Sequence, residues 1–155
     1  MADRHVYLTQ DGYERLAQEL TELRSVKRPS IEERIRLAKE FADTVDNAEF
    51  DSVKQEQAFV EGRIQELEQL LADVEMIDAH PVADFVKLGA HVTVVGTDDE
   101  QEVYTIVGSA EADPKRGFVS NESPVGRALL GRKVGDVVTV IAPGGSFTVR
   151  IVALA

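Results

Sequence analysis

Residues 50–74, FDSVKQEQAFVEGRIQELEQLLADV, decide the fold. Phe50, Val53, Gln57, Val60, Ile64, Leu67, Leu71 and Val74 follow one another in alternating steps of three and four, and only Gln57 among them is polar. That is a heptad seam on one narrow face of a helix. A seam this narrow calls for a single partner helix, and the partner lies upstream. Tyr13, Leu16, Leu20 and Leu23 share the spacing. Pro29 then removes a backbone donor and crowds the preceding turn, which kinks the helix or resets its phase. The pattern resumes at Ile31, Ile35 and Ala38. Thr9 carries the hydroxyl favoured at an N-cap, and Asp11 puts a negative charge in the first turn. Two such runs in succession predict an antiparallel coiled-coil hairpin with arms of about 42–48 Å at 1.5 Å per residue. Its turn falls near Phe41–Asn47.

Charge follows this division. The chain of 155 residues has net charge −11. This opposes free, non-specific binding to duplex nucleic acid, which requires a basic face. Yet Arg24–Lys39 holds six basic and two acidic residues, and Glu40–Asp51 then holds five acids and no base. A basic stretch therefore leads into an acidic turn. There are no cysteines, which excludes disulfides and thiolate metal sites and fits a reducing, cytoplasmic setting. No apolar run has the length of a membrane span. A dimerising coiled coil or a plain spacer accounts for the arm as well as any functional role does.

After Ile77 the composition changes, and Pro81 is expected to end the helix. From Phe85 the period becomes two. Val92–Val94, Val103–Val107, Val137–Ile141 and Phe147–Val152 read as four strands. Ser123-Pro124 reads as an N-cap and first helical residue, with the helix ending at Gly131. The expected fold is α+β: a hairpin over residues 1–79, a linker at 80–83, and over 84–155 a small antiparallel sheet with one helix.

Four local motifs, in order, resemble the Gre transcript-cleavage factors. Leu8–Leu16 resembles the family's opening LTxxGxxxL, Val26-Lys27-Arg28-Pro29 its basic-proline segment, Lys54–Ile64 its KEQQxFxEGRI run, and Ser123–Gly131 its SPxxxALxG helix. The resemblance spans nearly the whole chain. It implies that the sheet domain is similar to FK506-binding proteins. It also implies that the protein is a monomeric accessory factor, not itself an enzyme, whose partner is bacterial RNA polymerase. Such a factor inserts its coiled coil and stimulates the polymerase's own cleavage of backtracked nascent RNA.

On this resemblance Asp43 and Asp46 are the catalytic carboxylates. They bind no cofactor alone but help hold a Mg²⁺ of the polymerase active site. Arg28, Arg36, Lys39 and Lys54 are the basic patch for the RNA 3′ end, and Ser123, Pro124, Arg127 and Leu130 the docking surface. The family tip reads Gly-Asp-Leu-Lys/Arg-Glu-Asn-Ala-x-Tyr, whereas this chain has Ala42-Asp43-Thr44-Val45-Asp46-Asn47-Ala48-Glu49-Phe50. The departures at Ala42, Thr44, Val45 and Asp46 leave open a Gre-like inhibitor that enters the same channel without promoting cleavage. A prolyl isomerase would need an aromatic-lined pocket, for which Phe85, Tyr104, Phe118 and Phe147 are a thin supply.

Overall fold

The computed structural model describes residues 5–40 and 48–155. The first element is a short strand, β1 (Val6–Leu8). Then come helix α1 (Gln10–Glu22), a π-helical turn (Leu23–Lys27), α2 (Arg28–Glu40) and, after residues 41–47, α3 (Ala48–Ala72). Tyr13–Asp73 forms one compact unit; the residues up to Gly12 join Val74–Ala155 in the other.

In the helical unit, Leu20, Ile31, Ile35, Val53, Val60, Ile64 and Leu67 form one buried cluster, and Leu16, Leu23, Phe50 and Leu71 pack beside it. The expected seam is therefore the core. Tyr13, read as its first member, is exposed. The π-helical turn explains how the seam passes Pro29. Leu23 to Ile31 is a step of eight, one residue more than a heptad. A regular helix would carry Ile31, Ile35 and Ala38 off the contact face. The π turn absorbs the extra residue: the N–H of Arg28 bonds to the carbonyl of Leu23, five residues back instead of four. Pro29 follows directly, where the widened turn relieves the clash of its ring with the preceding carbonyls.

The second arm is shorter than expected. Helix α3 has 25 residues, about 38 Å, and stops at Ala72. Val74 is not a seam residue but opens a strand, β2 (Val74–Met76), that pairs in parallel with β1, Val6 against Val74 and Leu8 against Met76. The Ile77 N–H continues the pairing to the Leu8 carbonyl at 2.9 Å, and Leu8 is fully buried. This pairing ends the helix nine residues before Pro81. It is also why compactness divides the chain at Asp73–Val74 rather than at residues 80–83. Thr9 caps α1 as expected, its hydroxyl accepting from the Gly12 N–H at 3.1 Å. A carboxylate from far along the chain adds to the cap: Glu111 accepts from the Thr9 N–H at 2.7 Å and its hydroxyl at 2.5 Å.

The other unit is built on five further strands: β3 (His91–Gly96), β4 (Gln101–Val107), β5 (Phe118–Ser120), β6 (Val137–Ala142) and β7 (Gly145–Leu154), with helix α4 (Pro124–Leu129) between β5 and β6. Their order in the sheet is β5-β4-β3-β7-β6. Every neighbouring pair is antiparallel except β4 and β5, which run parallel. The fold is α+β, with a mixed sheet where an antiparallel one was expected. Val92, Val94, Ile106, Val119, Val138, Val149, Ile151 and Leu129 of α4 form its core. Ser123 caps α4, accepting from the Gly126 N–H at 3.1 Å, and Gly131 follows with φ of 80°. A β-carbon on Gly126 would lie 1.9 Å from the Ser120 carbonyl, so only glycine lets α4 pack this closely on β5. Among the described residues, no helix is long and apolar enough to cross a membrane.

Candidate functional site at the end of the helical hairpin

The two arms stay packed almost to the connection between them. Ala38 in the last turn of α2 and Val53 in the second turn of α3 are buried, and Phe50 is half-buried. The connection itself, residues 41–47, lies outside the described residues, and with it both expected catalytic carboxylates, Asp43 and Asp46. Around its two ends Glu40, Glu49 and Asp51 are exposed. Glu40 accepts a hydrogen bond from Arg36 at 2.6 Å. Glu49 lies 3.9 Å from Arg34.

The four expected RNA-contacting cations are placed differently from one another. Arg28 makes a two-pronged bond to Glu61 of α3, Nε at 2.8 Å and Nη2 at 2.9 Å. Arg36 grips Glu33 in the same way, at 3.0 and 2.7 Å, and reaches Glu40 with its remaining nitrogen. Lys54 donates to Gln57 at 3.0 Å. Lys39 is exposed and makes no ion pair among the described residues. Arg28 is therefore held across the helix interface, and Arg36 along its own helix.

The basic stretch has a structural use. Arg24 pairs with Glu68, Arg28 with Glu61 and Arg34 with Glu56, while Arg63 of α3 pairs with Glu19 of α1. These residues flank the seam, where opposite charges fix partner and register. The signal was present in the sequence: Glu56, Glu61 and Glu68 border the heptad positions of α3. Hydrogen bonds from Arg63 and Arg28 hold the Glu19 and Glu61 carboxyls below their ordinary range. The same bonding raises the guanidinium of Arg63.

The expected docking residues sit at the start of α4. The Ser123 hydroxyl is doubly engaged, donating to the Ser120 carbonyl at 2.7 Å besides accepting from Gly126. Arg127 is exposed and donates to the Glu122 carbonyl at 2.7 Å. Leu130 is half-buried against the sheet core, and Pro124 is half-buried at the first helical position. Ser123 and Leu130 thus shape the segment, and Arg127 is the member most open to a partner.

Among the described residues, no three histidines, aspartates or glutamates are grouped to hold a metal ion. Two carboxylates spaced as Asp43 and Asp46 are hard oxygen donors suited to Mg²⁺. Mg²⁺ is typically bound through one or two carboxylates, with water and phosphate oxygens completing its shell.

Residues 6–76 match the family described as transcription elongation factor, N-terminal, and residues 81–155 that described as transcription elongation factor, GreA/GreB, C-term. The transcription elongation factor GreA of Geobacillus kaustophilus is 50% identical over 157 residues, covering 99% of each chain. That of Bacillus subtilis is 47% identical over 156 residues with the same coverage. The crystal structure of GreA factor homolog 1 of Thermus thermophilus is 32% identical, covers 98% of this chain and 99% of its own, and has a TM-score of 0.46.

Proposed function

Because the chain belongs to the GreA/GreB family of transcription elongation factors, we propose that it inserts its helical hairpin into bacterial RNA polymerase and stimulates the polymerase's cleavage of backtracked RNA. The observation that carries this reading is a packed two-helix arm, joined by an apolar seam and cross-helix arginine–glutamate pairs, with two aspartates three residues apart in the sequence between its helices. In this reading Asp43 and Asp46 supply oxygen ligands toward a Mg²⁺ shared with the polymerase. The ion, when bound, stabilises charge on the scissile phosphate and activates water. The cleavage belongs to the polymerase active site, and this chain acts as the accessory. Lys39, and Arg36 beyond its carboxylate partners, hold positive charge beside the connection, where the extruded RNA 3′ end would pass. Arg127 and its neighbours on α4 form the docking surface, and the factor works as a monomer in the cytoplasm.

Specific residues favour a second reading. Asp46 stands where the family has glutamate, and Ala42, Thr44 and Val45 also depart from its pattern. The lost methylene shortens the carboxylate's reach by about 1.5 Å, and a 1 Å misplacement at a reacting centre can cost on the order of 10²-fold in rate. An arm with that deficit would occupy the channel and inhibit. One experiment separates the two. Added to stalled, backtracked elongation complexes, the protein shortens the RNA if it stimulates cleavage, and Asp43→Ala and Asp46→Ala abolish this. If nucleotide addition stops with no RNA shortened, the inhibitor reading holds. Equal shortening by the alanine variants and the wild type removes the two aspartates from the site.

A further inference from the structure

Two imidazoles meet on the face of the sheet turned away from its core. His91 opens β3, and the next residue, Val92, belongs to the core, so His91 points to the opposite face. The ring of His80, from the segment after β2, lies against it, with ring centres 5.4 Å apart and planes 33° from parallel. His80 is exposed and His91 half-buried.

Both rings are positioned by their surroundings. The His91 main chain bonds to that of Ala155 twice, through its N–H at 2.8 Å and its carbonyl at 2.9 Å. Its Nδ1 lies 2.9 Å from the hydroxyl of Thr105, its cross-strand partner in β4. On the other side, the Asp78 carboxylate accepts from the His80 N–H at 2.9 Å, closing a tight turn. That turn packs on Gly89, where a β-carbon would stand 1.8 Å from the Asp78 carbonyl. Glycine, here at φ of 89°, is what lets the segment come this close.

The arrangement has the parts of a metal chelate. An imidazole binds a metal through one nitrogen and usually gives the N–H of the other to a fixed acceptor, which orients the ring. The Thr105 hydroxyl is placed to be that acceptor for Nδ1, and the lone pair of His91 then falls on Nε2. The ring nitrogens of His80 have no hydrogen-bond partner among the described residues. Two imidazoles on one tetrahedral ion, with metal–nitrogen bonds of about 2.0–2.1 Å, have ring centres about 5 Å apart, close to the separation found here. We infer that His80 and His91 chelate a borderline divalent cation such as Zn²⁺ or Ni²⁺ through ring nitrogens, with the remaining positions open to water. Imidazole suits these ions, whereas Mg²⁺ prefers oxygen donors. The site is therefore distinct in chemistry from the aspartates between the helices, and it does not rest on the function proposed above. A bound ion would tie the segment after β2 to β3.

Ring packing alone also brings aromatic side chains to such distances, and the test separates the two. Zn²⁺ is titrated into the full chain and followed by calorimetry and by the histidine ring signals in NMR. One ion should bind per chain, shift the signals of His80 and His91 but not His5, and raise the melting temperature. His80→Ala, on the exposed segment, should keep the metal-free melting temperature and weaken binding by about tenfold or more, at least what loss of an orienting group costs. Thr105→Val should weaken binding by about tenfold. Asp43→Ala/Asp46→Ala should bind Zn²⁺ as the wild type does, and Mg²⁺ at equal concentration should not displace it. No binding by the wild type, equal binding by His80→Ala, or shifted signals of His5 in place of His80 and His91 overturns the inference and leaves ring packing as the reason for the pair.

Discussion

Replacing Pro29 by alanine separates two causes of the π-helical turn. If the proline creates the bulge, Pro29→Ala lets the helix return to regular geometry. If the eight-residue step from Leu23 to Ile31 creates it, the bulge stays. Returning to a regular helix would rotate all that follows by about 100°, turning Ile31 and Ile35, now 2% and 8% exposed, off the seam. Burial of each isoleucine is worth about 1.5–3 kcal/mol, so the pair would lose about 3–6 kcal/mol. A proline within a helix costs about 3 kcal/mol, and the bulge already relieves part of that. The seam therefore decides. Pro29→Ala should keep the Arg28 N–H on the Leu23 carbonyl and leave the melting temperature equal or slightly higher. Deleting Val26 reverses the logic: the step becomes seven, a regular helix meets the seam, and Pro29 is left inside it. That deletion should cost about 3 kcal/mol, largely recovered when Pro29→Ala is added. Thermal unfolding by circular dichroism gives the energies, and amide shifts or hydrogen-exchange protection of Arg28 report the bond. A Pro29→Ala protein that loses several kcal/mol, or whose Arg28 amide moves to the Arg24 carbonyl, refutes the reasoning.

Three further outcomes follow from the geometry. Gly126→Ala places a β-carbon 1.9 Å from the Ser120 carbonyl; it should destabilise the sheet unit by about 1–3 kcal/mol, read as a lower melting temperature, whereas an unchanged one would mean that α4 is free to shift. Glu19 and Glu61 have folded pKa values below the ordinary 4.5, so the stability they lend is present above that value and is lost as pH falls through the folded values. A Glu19→Gln/Glu61→Gln protein should melt lower than wild type near neutrality, and the gap should close in acid; a gap that persists there contradicts the linkage. Asp46→Glu should raise the rate of RNA shortening in backtracked complexes by roughly tenfold or more if reach limits it, and no increase would show that reach is not what limits the rate.

Much of the helical unit could be read from residue types, because a seven-residue repeat of Val, Ile and Leu has one good solution. The caps at Thr9 and Ser123 were legible for the same local reason. What escaped depends on partners distant in sequence. Val74 continues the heptad numerically, yet strand pairing with Val6 takes it out of the helix. Strand β5 is three residues long, too short for a period, and its parallel pairing needs β4 in place. Glu111 reaches Thr9 across 102 residues of chain. At the candidate site, a row of arginines does not name its partners, and the carboxylates that pair with Arg24, Arg28 and Arg34 come from the opposite helix. The two aspartates are apparent from sequence alone, and their geometry lies outside the described residues.

The side-by-side strands β1 and β2 make the hairpin an insert with both splice points in one unit, at Gly12–Tyr13 and Asp73–Val74. Such a cassette can be lengthened, shortened or exchanged by whole heptads without rethreading the sheet. A body of this design can carry a succession of different arms, each ending in its own chemistry.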